Sequence, residues 1–149
     1  MKYAKYFLAS VAILAVSSLL YTVMWERVDS KKTLVQAAES YASEINSDGP
    51  VEIEVTPVEI SPSKEWKFTV ALDTHTTPIT EDIVKSSKLI DGEGKEYQAV
   101  SWDGDEAGGH HRKGVLTFQP VRPMPQTIVL RIENVGGVQT REFSWELKK

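Results

Sequence analysis

The stretch that decides the fold reads WKFTVALD over residues 66–73. Trp66, Phe68, Val70 and Leu72 occupy every second position, and smaller or polar residues separate them. Because side chains alternate between the two faces of a β-strand, this pattern predicts a strand with one buried face and one solvated face. We therefore expect a β-sheet protein.

The same period of two recurs on both sides of this stretch. Turn-forming residues separate the runs, for example Asp91–Gly94 and Asn134–Gly137. Seven short strands of this kind predict an all-β, immunoglobulin-like antiparallel sandwich over residues 51–149. A capped helical turn is expected at Thr80–Val84. The predicted strands cover residues 51–60, 66–72, 86–90, 96–102, 113–119, 126–133 and 139–147.

Composition excludes several classes of function. The 149 residues include 17 Lys and Arg, 21 Asp and Glu and no Cys, for a net charge of -4. The absence of cysteine excludes disulfides, thiolate metal sites and cysteine nucleophiles. Acidic residues outnumber basic ones after residue 50, so a nucleic-acid partner is not expected.

A membrane anchor is predicted within residues 1–28. Residues 6–25 carry no charge and would span roughly 30 Å as a helix, which is the thickness of a bilayer core. A cleaved signal peptide is the alternative, with residues 15–17 (Ala-Val-Ser) as its cleavage site. Both interpretations place the remaining chain outside the cytoplasm, in a periplasm or at the cell surface.

A helical stalk or linker is predicted over residues 29–50. Leu34, Ala38, Tyr41 and Ile45 recur at helical spacing up to residue 46, and the turn residues that follow would stop the helix. The stalk could serve as a tether alone or could associate with a second copy, so the oligomeric state stays open.

All three histidines lie in two predicted loops. His75 follows the strand at 66–72, and His110 and His111 precede the strand at 113–119. If consecutive strands run in opposite directions, both loops lie at one pole of the sandwich, which the chain would also enter from the membrane side. The residues expected at this pole are Asp73, His75, Asp103, Asp105, His110 and His111.

This cluster suggests a metal site. Three imidazoles beside Asp73 are suitable ligands for Zn, Cu(II) or Ni. Cu(I) is less suited, because Met124 is expected at the opposite pole. Adjacent His110 and His111 would point to opposite faces of a strand, so both would ligate only from an irregular loop.

A structural role for the same residues is the alternative. The histidines, Asp73 and Arg112 would then join two loops by hydrogen bonds. Trp102, Asp103, Asp105 and Arg112 are expected to support the loops in either case.

Two other chemistries fit poorly. Residues 103–108 resemble the start of a calcium loop, but Ala107 and Gly114 stand where oxygen ligands are needed. The sequence contains neither a nucleophile elbow nor a metalloprotease helix motif, so no enzymatic activity is expected.

Several motifs resemble those of a known group of proteins. They are Asp73-Thr74-His75, Gly109-His110-His111-Arg112, the segment Ser101–Gly104 and the C-terminal residues 135–147. The chain resembles a group of small exported or membrane-anchored prokaryotic domains that share this Asp-Thr-His and Gly-Gly-His-His-Arg pattern. The resemblance covers nearly all of residues 51–149 and implies no particular activity. It departs from the pattern at Thr76–Pro78. Its implied signature residues are Asp73, His75, Trp102, His110, His111 and Arg112.

Two functions follow as hypotheses. The first is a membrane-anchored extracytoplasmic module that binds a metal or small ligand through His75, His110 and His111. The second is a non-catalytic accessory subunit that docks on a membrane protein, with structural histidines.

Overall fold

The computed structural model of the protein describes residues 41–147. The predicted anchor and most of the predicted stalk lie outside this range. Among the described residues, no helix has the length and apolar character needed to cross a bilayer.

Within this range the chain forms nine strands and one helical turn. Inward positions alternate with exposed ones along the long strands, as in β3, where Trp66, Phe68, Val70 and Leu72 are fully buried. The elements are β1 (Glu44–Asn46), β2 (Val51–Glu59), β3 (Trp66–Thr74), α1 (Ile83–Ser86), β4 (Ser87–Asp91), β5 (Glu96–Gln98), β6 (Ser101–Gly104), β7 (His111–Phe118), β8 (Thr127–Val135) and β9 (Val138–Glu146).

The strands form two antiparallel sheets around one core. The first sheet has the order β1-β2-β3-β7-β6 and the second β5-β4-β8-β9. Phe68 of the first sheet packs against Trp145 of the second, with ring centroids 5.8 Å apart. It also meets Phe118 edge-on at 5.7 Å. The prediction of an all-β sandwich is confirmed.

The predicted strand at 96–102 is two strands in different sheets. β5 pairs with β4, and β6 pairs with β7. Between them, the amide of Ala99 donates to Ser87 in the second sheet, and the amide of Val100 donates to Thr117 in the first. The chain therefore crosses between the sheets here, and an alternating sequence pattern does not record which sheet a strand joins.

The end of the predicted stalk helix is also a strand. β1 pairs antiparallel with β2, with Glu44 opposite Val55, and the indole of Trp145 donates to the carbonyl of Ala42 at 2.8 Å. A short helix is costly to nucleate, whereas pairing satisfies the open edge of β2. The domain therefore begins before residue 51. We expected the histidines to face the membrane on the assumption that the chain enters the domain at the start of β2. The chain enters through β1 instead, so that assumption does not hold.

The helical turn lies close to its predicted place. α1 covers Ile83–Ser86, and the Asp82 carboxylate caps it by accepting from the amide of Lys85 at 3.2 Å. The cap is thus Asp82 rather than Thr80.

Several connections meet at the pole where β3 ends and β7 begins. Asp73 pairs with His111 in the β3–β7 ladder. The β8–β9 turn lies at the same pole, because a Cβ atom on Gly136 would come within 2.4 Å of Val51 Cγ2 at the start of β2. Gly136 also has a φ of 59°, which favours glycine. We call this end the histidine pole, comprising residues 46–51, 73–82, 104–112 and 134–138.

Candidate functional site

The structure brings the predicted histidine loops together. The rings of His75 and His111 have centroids 6.3 Å apart. The amide of Thr74 donates to the carbonyl of His110 at 2.9 Å. The prediction that the three histidines share a pole is therefore confirmed.

Backbone hydrogen bonds hold these two loops to each other. The amide of Ile79 donates to Gly109, and the amide of Gly108 donates to Ile79, each at 2.9 Å. Ile79 itself is buried in the core. Main-chain pairing and one buried anchor therefore fix the two loops to each other.

The histidine side chains lie on the surface. His111 Nδ1 hydrogen-bonds to the Asp73 carboxylate, and these two side chains are 69% and 51% exposed. His75 and His110 are also exposed. The alternative role, in which Asp73 contacts an imidazole, holds for His111 alone. Arg112 turns instead to backbone carbonyls.

The predicted metal ligands do not converge. Within residues 41–147, no group of three or more His, Asp or Glu side chains is arranged to hold a metal ion. Within that range, there is therefore no site for Zn, Cu(II) or Ni formed by the predicted ligands Asp73, His75, His110 and His111.

Arg112 is the buried support beneath the histidine loops. Only 5% of it is exposed. Its guanidinium donates to the carbonyl of Glu81 at 2.9 Å, and more distantly to Ile79 and Asp105 at 3.4 and 3.5 Å. It also lies over the ring of Trp102 at 5.8 Å. Arg112 thus connects both loops to each other through their backbone carbonyls.

Two of the other three predicted supporting residues act beside Arg112. The indole of Trp102 donates to the carbonyl of Asp105 at 2.9 Å. The Asp105 carboxylate accepts from the amide of Lys113 at 2.8 Å. Asp103 pairs through its backbone with Val115 in the β6–β7 ladder, and its side chain makes no hydrogen bond to any described residue. Asp103 is therefore outside the supporting cluster.

Arg141 is a second buried support that the sequence analysis missed. Only 1% of it is exposed. Its guanidinium donates to the carbonyls of Val135 and Asp48 at 2.6 Å, to Val51 at 3.2 Å and to the side chain of Asn46 at 3.0 Å. It therefore fastens the β1–β2 turn to the β8–β9 turn. The detectable signal was a charged residue at an inward position of the alternating strand β9.

Burial lowers the pKa of Arg141, and the carboxylates of Asp48 and Glu81 act in the opposite direction. Glu81 is itself half-buried. Its Oε1 accepts from the amide of Gly136 at 2.8 Å, whereas its Oε2 is buried and has no hydrogen-bond partner among the described residues.

A cleft of about 490 Å³ opens beside Arg112. We call it the acidic cleft. Glu81, Trp102, Asp105, Glu106 and Arg112 line it, together with residues of α1 and its cap. Four of its lining residues are acidic, namely Glu81, Asp82, Asp105 and Glu106, and its one basic lining residue, Arg112, is buried.

A second cleft, of about 480 Å³, lies at the far pole, where β7 ends and β8 begins. Met124 lines this cleft, which confirms the prediction that Met124 lies at the pole opposite the histidines. The hydroxyl of Tyr97 donates to Asp91 at 2.8 Å in this cleft. This hydrogen bond holds the pKa of Asp91 below its usual value, while burial and the same contact raise the pKa of Tyr97.

No protein-family model, curated protein or solved structure matches this chain.

Proposed function

We propose that the protein is a membrane-anchored, non-catalytic interaction module that docks on a membrane protein through the histidine pole. The observation that carries this proposal is that exposed histidine side chains lie on loops that the domain holds in place. His75, His110 and His111 are exposed, while Arg112 and backbone pairing hold the loops that carry them. Exposed polar side chains on loops positioned by a rigid scaffold are typical of recognition surfaces.

A preformed surface favours binding because little conformational entropy is lost on association. Both histidine loops are attached to the core, through Ile79 and Arg112. The imidazoles can each donate or accept a hydrogen bond, and His110 makes no side-chain hydrogen bond to any described residue. This pattern supports docking more strongly than metal binding, since the metal ligands do not converge.

The finer fold class forms part of the proposal. Strands β2-β3-β7-β6 against β5-β4-β8-β9 have the connectivity of immunoglobulin strands A-B-E-D and C′-C-F-G. We assign the domain to this immunoglobulin-like class, with β1 as an added edge strand.

The location is proposed from the sequence. Residues 6–25 would anchor the chain in the bilayer, and the sandwich would lie outside the cytoplasm.

The test is site-specific photocrosslinking of the full chain in its native membrane. A photoreactive amino acid replaces His110 in one variant and the exposed Lys64 of the β2–β3 loop in a matched control. We expect a discrete crosslinked product from position 110 and none from position 64. Equal products from both positions, or a product only from position 64, would contradict docking through the histidine pole.

A thermal-unfolding experiment separates docking from metal binding. The full chain is heated with Zn²⁺, Cu²⁺ or Ni²⁺ and compared with His110→Ala. Docking predicts no saturable increase in Tm with any of the three ions. A saturable increase that His110→Ala abolishes would favour a metal-binding module instead.

A further inference from the structure

We propose that the sandwich stands on the bilayer surface with its far pole toward the lipid headgroups and its histidine pole away from them. The far pole comprises residues 60–65, 91–95 and 119–126, and Arg122 in the β7–β8 loop is the residue that contacts the headgroups. This inference rests on the membrane anchor of the proposed function, and it adds which part of a membrane protein can reach the histidines.

The first observation is the direction in which the chain enters the domain. β2 begins at the histidine pole, where Val51 is opposite Thr74, and ends at the far pole. β1 is antiparallel to β2, so it runs toward the histidine pole. The residues just before β1 therefore come from the far-pole side. In agreement, the hydroxyl of Ser43 lies 2.6 Å from that of Thr56 in the second half of β2.

A contact with the second sheet places the same segment near the far pole. The indole of Trp145 donates to the carbonyl of Ala42 at 2.8 Å. The next residue, Glu146, pairs with Thr127 in the β8–β9 ladder, and Thr127 lines the cleft at the far pole. The chain thus enters the sandwich at its far-pole end.

The length of the connection to the predicted anchor favours the same orientation. Residues 26–40 join the anchor to Tyr41, and these 15 residues reach at most about 50 Å when fully extended. β2 and β3 have nine residues each, so the two poles are about 30 Å apart. With the histidine pole on the bilayer, the connection would have to pass back along the whole domain. With the far pole on the bilayer, it meets the domain at the near end.

The two poles also differ in charge. The histidine pole contains six acidic residues and one basic residue, a formal balance of -5 with neutral histidines, whereas the far pole contains three of each sign. These residues are Asp48, Asp73, Glu81, Asp82, Asp105, Glu106 and Arg112 at the histidine pole, and Lys64, Glu65, Asp91, Glu93, Lys95 and Arg122 at the far pole. A bilayer with anionic lipids has a negative surface potential, so it repels the histidine pole and accepts the far pole.

Arg122 is the cation of the far pole that is available to a headgroup. It is exposed, and its guanidinium makes no hydrogen bond or ion pair to any residue within 41–147. Lys64 pairs with Glu59 at 3.5 Å, and Lys95 lies over the ring of Tyr97 at 4.9 Å. A guanidinium can donate two parallel hydrogen bonds to the oxygens of a phosphate, which is the group that phospholipid headgroups present.

This orientation restricts the partner of the histidine pole. The three histidines would lie about 30 Å from the headgroups, since the two poles are separated by the length of the long strands. They would then contact the extramembrane part of a membrane protein and not its membrane-spanning segments.

The experiment is electron paramagnetic resonance on the full chain in nanodiscs of phosphatidylcholine and phosphatidylglycerol. Because the chain has no cysteine, one introduced cysteine can carry a nitroxide label. Gln126→Cys and His110→Cys place the label at exposed positions of the two poles. A lipid with a gadolinium chelate on its headgroup enhances the relaxation of nearby nitroxides. We expect an enhancement at least about tenfold larger at position 126 than at position 110, because about 30 Å separates the poles.

A charge reversal tests the contact of Arg122. In the protein labelled at position 126, Arg122→Glu should reduce the enhancement at least about twofold, because a basic residue near an anionic surface attracts the domain to it. Lys113→Glu is the matched control, since it makes the same charge change at an exposed position of β7 near the histidine pole. It should leave the enhancement unchanged. Equal losses in both variants, or no loss in either, would overturn the contact between Arg122 and the headgroups.

The proposed orientation has its own contradicting result. Equal enhancement at positions 126 and 110, or a larger one at position 110, would overturn it. The nanodiscs contain no partner protein, so that result would leave docking through the histidine pole to the photocrosslinking test. A chain that does not enter the nanodiscs would overturn the anchor, and with it both proposals.

Discussion

Arginine serves different purposes on the outer face of the second sheet and at the histidine pole. On the outer face, Arg131 pairs with the exposed carboxylates of Glu142 at 2.7 Å and Glu96 at 3.5 Å. At the pole, Arg112 and Arg141 are buried and donate mainly to backbone carbonyls. Exposed ion pairs contribute little to stability, whereas a buried guanidinium leaves several unsatisfied groups when removed. The pole therefore depends on its arginines far more than the outer face does.

Replacement of Arg141 should have the largest effect. Arg141→Met would leave the carbonyls of Val135, Asp48 and Val51 buried without their donor. We expect the free energy of unfolding of the full chain to fall by about 3–5 kcal/mol in chemical denaturation followed by tryptophan fluorescence. A loss below about 1 kcal/mol would show that water replaces the guanidinium without cost.

Arg112 should come second, because two of its three hydrogen bonds are long. Arg112→Met is expected to lower the free energy of unfolding by about 2–4 kcal/mol. Hydrogen exchange should also accelerate at the amides of Thr74, Ile79 and Gly108, whose pairing joins the two histidine loops. Unchanged exchange at these amides would contradict a supporting role for Arg112.

Arg131 supplies the matched surface control. Arg131→Ala breaks two ion pairs of partly exposed side chains and should cost less than about 1 kcal/mol. The effect should shrink further in high salt, because screening weakens exposed pairs. A loss equal to that of Arg112→Met would remove the contrast between the two regions.

The smallest effect is expected at the far pole. Tyr97→Phe removes the hydroxyl that donates to Asp91, so the pKa of Asp91 should rise toward its usual value. The depressed pKa stabilises the native state above the usual carboxyl pKa, and this contribution is lost as the pH falls through the native pKa. NMR titration of the Asp91 carboxyl in both proteins measures the change, and identical titration curves would contradict it.

The sequence predicted the regular part of the fold from alternation alone. The buried positions of β2, β3, β8 and β9 follow a period of two, and strand parity correctly placed His75 with His110. Strand β1 was missed because three residues are too few for a pattern and their pairing is set by the edge of β2. The division of 96–102 between sheets depends on which neighbours accept the amides of Ala99 and Val100.

The site was predicted less completely. Histidines can be recognised in a sequence, whereas the backbone carbonyls that accept hydrogen bonds from a buried arginine cannot. Arg112 entered the predicted set as a neighbour of His111, but its partners are the carbonyls of a distant loop. Arg141 occupies an inward position of β9, where the other inward residues are apolar. A charged residue at such a position was the feature of the sequence that indicated a buried role.

The most direct test compares the stability of the chain without its histidines and without Arg112. The full chain with His75→Ala, His110→Ala and His111→Ala together is unfolded in denaturant beside Arg112→Met. If the histidines only form the surface of a pole that the arginines hold, the triple variant should lose less than about 1 kcal/mol, well below the loss in Arg112→Met. A loss in the triple variant as large as that of Arg112→Met would show that the imidazoles hold the loops themselves.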